Sequence, residues 1–322
     1  MNIKKIGLTA LAGSLVAATS HAGEMSVAGS ASMAVEHINN GDPAGSAGKS
    51  FSMGNQLTFS GGGELDNGLN VSLSFVLDQN DDKTNSDGTA KTSNAGTPFD
   101  SHSVSISSDA LGTLTFHGEG GSSATTAVDA TAAGDIWDQF DDENGLEPTG
   151  TGSGDNMFFY TTPSLMDGLS ISASYLPHTT GNDGALIGYS ATYTGVEGLS
   201  VTYATGEGAD PIDATVMKAS YAFGPVTVSY SDYEYDASGT ADDDDVTSYK
   251  LSYTVSDELS ISYGSEELET GTTDSEYDMV SASYTAGGMT LTASFSDATD
   301  IDGGGDGSED RERWALSASF AF

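Results

Sequence analysis

Cysteine is absent from all 322 residues, so the chain has no disulfide, no thiolate metal site and no thiol nucleophile. Positive charge is scarce, with 9 Lys and Arg against 48 Asp and Glu, a formal net charge of −39 and a pI near 4.1. A chain so acidic repels phosphate backbones, which excludes nucleic acid as a partner. Histidine is sparse as well. Beyond position 22 only His37, His102, His117 and His178 remain, and none sits in a nucleophile motif or at metal-ligand spacing, so an enzyme reading has little to stand on. Long apolar runs are missing. The longest mostly apolar stretch, residues 6–18, covers about 13 residues, short of the roughly 20 that a spanning helix needs.

That stretch follows Lys4 and Lys5 and precedes the small-residue site Ser20-His21-Ala22, the pattern of a signal peptide cleaved after Ala22. The expected organisation is therefore a signal at 1–22 and a single unit at 23–322. Removing Lys4 and Lys5 leaves seven basic residues against all 48 acidic ones, a mature net charge near −41.

What the mature chain has in abundance is alternation. In Met289-Thr290-Leu291-Thr292-Ala293-Ser294-Phe295 the odd positions are apolar and the even ones carry hydroxyls, and Leu259–Tyr263, Val226–Tyr230 and Leu169–Tyr175 repeat the pattern. A period of two over such lengths predicts strands with one apolar and one polar face, and helical periodicity is nowhere sustained. Tight turns fall near 65–68, 109–112, 164–168, 195–198, 223–225, 255–258 and 286–288. Longer polar loops fall near 37–50, 80–99, 118–154, 177–185, 206–213, 235–245, 266–276 and 298–310. Seven turns and eight loops join sixteen strands, and short connections alternating with long ones are the arrangement of an all-β antiparallel transmembrane barrel.

Aromatic placement tests this independently. Tyr193, Tyr221, Tyr253 and Tyr284 each precede a tight turn, whereas Tyr175, Tyr203, Tyr230 and Tyr263 lie five or more residues past one, all on the apolar parity. Two interfacial girdles follow, since tyrosine suits a boundary where its ring is buried and its hydroxyl wet. The last strand carries Trp314, Leu316, Ala318, Phe320 and Phe322 on one face. An aromatic, alternating terminus predicts full pairing with the first strand, 24–36, because lipid admits no open sheet edge.

With these features in place, the mature chain resembles the general sixteen-stranded porins of Gram-negative bacteria, especially the acidic alphaproteobacterial kind. The resemblance rests on Phe322, on the segment Asp155-Asn156-Met157-Phe158-Phe159-Tyr160-Thr161-Thr162-Pro163-Ser164, and on Gly168 and Tyr175 after it. It implies an outer-membrane, water-filled channel for passive diffusion of small hydrophilic solutes, with no cofactor and no enzymatic activity. It also implies a homotrimer in outer-membrane lipid, and a Phe322 similar to the signal read by the barrel assembly machinery. In the family the third loop folds inward and narrows the pore. Here that loop, 118–154, carries Asp135, Asp138, Asp141, Asp142 and Glu143, and carboxylates in a constriction concentrate cations. Lys218, Lys250, Arg311 and Arg313 fall on the lumen-facing parity as candidate pore-wall residues, with Arg311 close to the rim. The early strands lack the arginine cluster that the family places opposite the loop, which pushes the expected selectivity toward cations.

Other features carry two readings each. Trp137 and Phe140 either stack on solutes or, the commoner role, anchor the loop on the wall. His117 shares the wall-facing parity of Thr113 and Thr115 and either feels the pH of the pore or, the commoner case, is a satisfied lumen histidine. Asp242–Asp245 and the run Asp297, Asp300, Asp302, Asp306, Glu309 and Asp310 offer oxygen ligands for loosely bound calcium at the external loops, or are ordinary solvated charge. As a whole, the rival functions are a secreted calcium-binding β-roll or adhesin, and an outer-membrane barrel hydrolase.

Overall fold

The alternation gives each strand two chemically distinct faces, and closure of the sheet decides which face meets the interior. The structure, a computed structural model, describes residues 25–39, 48–79, 99–128, 130–140, 154–177, 185–207, 213–236, 244–270, 273–301 and 310–322; the expected signal segment lies outside them. The described residues form sixteen strands: β1 (Met25–Asn39), β2 (Gly48–Glu64), β3 (Asn70–Gln79), β4 (Phe99–Ser108), β5 (Gly112–Glu119), β6 (Met157–Thr161), β7 (Leu169–Leu176), β8 (Leu186–Tyr193), β9 (Leu199–Glu207), β10 (Asp213–Phe223), β11 (Val226–Asp236), β12 (Asp244–Thr254), β13 (Leu259–Thr270), β14 (Thr273–Ala286), β15 (Met289–Thr299) and β16 (Arg311–Ala321). Each pairs antiparallel with its sequence neighbours, and β1 pairs with β16 to close the barrel. Closure satisfies every edge, as lipid requires.

The seam extends to the last residue: Gly29 N–H donates to Phe322 O (2.8 Å) and Phe322 N–H donates to Gly29 O (2.9 Å). The tight turns depend on glycine where the chain doubles back. Gly168 has φ +77°, and a Cβ there would collide with the backbone of Gly195 in the neighbouring turn, so no other residue fits.

Over the turn-side half of the strands the apolar face points outward. Val280 is 58% exposed and Met33 57%, and Leu251, Ile261, Leu291 and Leu316 share that exterior. A band this apolar on a barrel exterior matches hydrocarbon, not water. All eight girdle tyrosines lie on the exterior by strand register. Inside, hydroxyls pair across strands: Ser105 with Thr115 (2.8 Å), Thr192 with Thr202 (3.0 Å), and Ser262 with Ser281 (2.8 Å).

Toward the loop end the phase reverses. On β13 and β14 the exterior changes from Tyr263 and Val280 to Glu267, Glu269, Glu276 and Asp278, while Leu268 and Tyr277 turn inward at 2% and 0% exposure. Strand β13 therefore runs through Thr270 and β14 starts at Thr273, where 266–276 reads as loop by sequence. The carboxylates outside lie beyond the hydrocarbon band. The apolar groups inside form the protein's buried core, which also holds Val216, Tyr233, Val246, Ala298 and Ile301, together with loop residues Ala133, Ile136 and Phe140.

Candidate pore constriction

A core inside a polar lumen needs a cover, and the loop between β5 and β6 supplies it. Its root is pinned by reciprocal bonds, Gly121 N–H to Gly154 O (3.2 Å) and Gly154 N–H to Gly121 O (2.9 Å), while Gly120 N–H donates to the Asp155 carboxylate (3.3 Å). From there the loop follows the inner wall. Ala124 N–H donates to Ser174 Oγ on β7 (2.9 Å), and neighbouring Gly188 on β8 leaves room, since a Cβ there would stand 3.3 Å from Ala124 N.

Farther along, wall side chains bind the loop backbone strand by strand. Lys218 Nζ on β10 donates to Thr131 O (2.8 Å), Ala132 N–H to Ser231 Oγ on β11 (2.7 Å), and Ala133 N–H to Ser248 Oγ on β12 (2.9 Å). Lys250 Nζ on β12 donates to Ala133 O (3.2 Å). Glu266 Oε2 on β13 accepts from Ile136 N–H (2.7 Å) and Trp137 N–H (3.1 Å). Arg311 Nη1 on β16 donates to Phe140 O (2.9 Å), and Arg313 Nη1 to Gln139 Oε1 (2.6 Å). Bonds to charged groups are each worth about 1.5–3 kcal/mol in such settings, so the set offsets much of the entropy lost in ordering this segment.

Local sequence explains the seat. Thr131 Oγ1 accepts from Asp135 N–H (2.7 Å) and donates to Asp135 Oδ1 (2.8 Å), closing a turn with Gly134 at φ +97° and Asp135 at φ +51°. Small residues let backbone meet wall: a Cβ on Gly264 would lie 2.8 Å from Ala133 Cβ. The segment Trp137–Phe140 forms a 3-10 turn whose Phe140 is 1% exposed and packs at 5.9 Å against the Tyr277 ring. Phe140 is thus an anchor, and Trp137 packs partly buried against the same core.

Of the sequence-derived carboxylates, Asp138 is exposed at the start of this 3-10 turn and Asp135 is half-buried against Thr131; Asp141, Asp142 and Glu143 lie outside the described residues. All four expected wall cations face the interior, Arg311 included, and all four donate to the loop. They stand beneath the loop rather than across the lumen from it. On β2–β5, the wall the loop leaves uncovered, the inner parity carries hydroxyls such as Ser52, Ser74, Ser103 and Thr115, and no Lys or Arg among the described residues. His117 lies on this face of β5 in register with Met157.

Sequence reasoning missed Glu266, which is 1% exposed, and the group around Glu36. Glu36 Oε2 accepts from Arg313 Nη2 (2.6 Å) and Nε (3.1 Å), and its Oε1 accepts from Ser50 Oγ (2.8 Å), tying β1, β2 and β16 together next to Gln139. Inward parity at Glu36 and Glu266 was the available signal. Among the described residues no group of three or more His, Asp or Glu is placed to hold a metal ion; Asp242, Asp243, Asp302, Asp306 and Glu309 lie outside them.

A closed sixteen-stranded barrel with an apolar outer band, a hydroxyl-lined interior and a loop folded into the lumen defines an outer-membrane channel protein. The chain belongs to the Gram-negative porin family, whose model matches residues 7–276. Similar solved structures include the anion-selective porin from Comamonas acidovorans (TM-score 0.68, 16% identity, covering 93% of this chain and 99% of that one). A triple mutant of Rhodopseudomonas blastica porin is similar at TM-score 0.65 and 15% identity (93% and 100% covered). A loop-deletion mutant of OmpT, an outer membrane protein of Vibrio cholerae, is similar at TM-score 0.64 and 15% identity (93% and 99% covered). At these identities the likeness is one of fold. No curated protein sequence matches the chain.

Proposed function

We propose that this porin is cation-preferring, with the loop carboxylates Asp135, Asp138, Asp141, Asp142 and Glu143 at its constriction. The observation that carries the reading is the state of the inner cations. Lys218, Lys250 and Arg311 donate to loop carbonyls, and Arg313 is held by Gln139 and the Glu36 carboxylate, while Asp138 is exposed. These carbonyls leave the cationic charge in place but hold it against the wall beneath the loop, so the charge exposed toward the passage is that of the Asp138 carboxylate, and a narrow low-dielectric passage amplifies its field. The Comamonas acidovorans porin, similar in fold, is anion-selective, so the reading for this chain rests on its side chains and not on the fold.

The proposal includes cleavage of residues 1–22, kinship with the acidic alphaproteobacterial porins, and assembly as a homotrimer through Phe322-directed insertion. Trimer contact through β1–β5 is supported by tyrosine: all 14 lie between Tyr160 and Tyr284, so the exterior of β1–β5 carries phenylalanines such as Phe51 and Phe116 but no tyrosine girdle. The test is single-channel current across a planar bilayer with a KCl gradient. Stepwise ohmic conductance with a cation-selective reversal potential supports the reading; an anion-selective potential overturns it.

A further inference from the structure

Between its contacts at Ala124 and Thr131 the loop leaves the wall in a short arch, the 3-10 turn Thr126–Val128. Beneath the arch, on the side of the tight turns, lies a cavity of about 420 Å³. Its volume is within the roughly 300–1,000 Å³ of small-molecule sites.

The two sides of this cavity differ. The roof is apolar, made of Ala124, Ala127 and Val128, with the Phe159 ring of β6 at one end. The floor is a double row of hydroxyls on five adjacent strands, β7 to β11, which includes Thr192 and Thr202. Those two already bond each other at 3.0 Å, and a hydroxyl pair so engaged keeps lone pairs free to accept from a ligand. Among the described residues Lys218 is the one cation of the lining and no carboxylate contributes to it, although acidic residues outnumber basic ones fivefold in this chain.

An apolar face opposed to a hydroxyl face selects a solute with both. A small cation gains nothing from the roof and meets Lys218, and a hydrocarbon leaves the hydroxyls unpaired. A pyranose ring presents C–H groups on one face and hydroxyls around its edge, complementing Phe159 and the Ser/Thr floor together. We propose that the space under the arch is a saccharide-binding subsite for neutral sugars of mono- to disaccharide size, held between Phe159 and the hydroxyls of β7–β11 on the turn side of the constriction. The subsite rests on the channel reading above, because a sugar reaches it only through the lumen. It gives an otherwise unspecific pore a local preference for sugars.

The test is current through single channels of the mature chain in KCl with maltose added on either side. The subsite predicts a saturable, concentration-dependent block, a half-blocking concentration raised about fivefold in Phe159→Ala, and recovery of the block in Phe159→Tyr. Thr58→Ala, on the uncovered wall, leaves the block unchanged. A current that falls only in proportion to bulk conductivity, or a block equal in Phe159→Ala and the unaltered chain, overturns the subsite while the KCl steps keep the channel reading intact. No KCl steps from inserted protein would overturn both.

Discussion

The two halves of the same strands obey opposite rules. On the turn side of β13 and β14 the exterior is Ile261, Tyr263, Val280 and Tyr284 and the interior is Ser262, Ser281 and Ser283. On the loop side the exterior is Glu267, Glu269 and Glu276, and the interior is Glu266, Leu268 and Tyr277, buried beneath the loop. One backbone geometry thus serves two solvents. Where hydrocarbon lies outside and water inside, the apolar parity faces out; where water lies outside and protein inside, it faces in.

The contrast is broken most strongly by a charge on the wrong parity. Val280→Lys places an ammonium in the apolar band and should cost about 2–4 kcal/mol. Ser281→Lys, one residue away on the water-filled side, should cost less than about 1 kcal/mol. Urea unfolding of vesicle-inserted protein reads both, and equal costs would mean that the assigned faces are wrong. On the loop side, Glu266→Ala leaves the N–H groups of Ile136 and Trp137 without their acceptor, at about 1–3 kcal/mol each if they stay buried. The expected result is a loop that proteases cut faster and a noisier open current, with the barrel's unfolding midpoint little changed.

Asp138→Lys is smaller in energy and sharper in readout. A charge exposed to lumen water acts on a passing ion by about 1 kcal/mol at contact distance, and the reversal acts on cation and anion in opposite senses, so the cation-to-anion permeability ratio should fall by at least about fivefold. A reversal potential identical to that of the unaltered chain would place Asp138 away from the ion path. Smallest is Ser262→Ala, which removes one lumen hydroxyl pair and should cost under about 1 kcal/mol, with selectivity unchanged.

The turn-side half was legible in the sequence because its rule is local. Alternation, turns and tyrosines specified sixteen strands, their closure and their faces without any knowledge of distant contacts. The loop-side half was not, because its rule depends on what lies across the lumen. Leu268 and Tyr277 reverse the apolar phase, and without the loop above them that reversal reads as the end of the strand. The wall cations were identifiable by parity, yet their partners were not: Lys218 and Lys250 bond backbone carbonyls 87 and 117 residues away, and carbonyls leave no mark in sequence. Glu266 was passed over for the same reason, since an acidic residue near a rim looks like solvated charge until two N–H groups are seen pointing at it.

The loop rests inside the barrel against β10–β16, and the absence of cysteine allows a direct test of that placement. Ala133→Cys and Gly264→Cys would introduce the chain's only two thiols, at positions where a Cβ added to Gly264 would lie 2.8 Å from Ala133 Cβ. A disulfide prefers about 3.5–4.5 Å, so the loop need shift by only about 1 Å to form one. Complete cross-linking is expected under mild oxidation, seen as a mobility shift reversed by reductant, with single-channel conductance and reversal potential unchanged. Failure to cross-link in folded barrels, or a cross-link that alters the current severalfold, would show that the loop normally lies elsewhere.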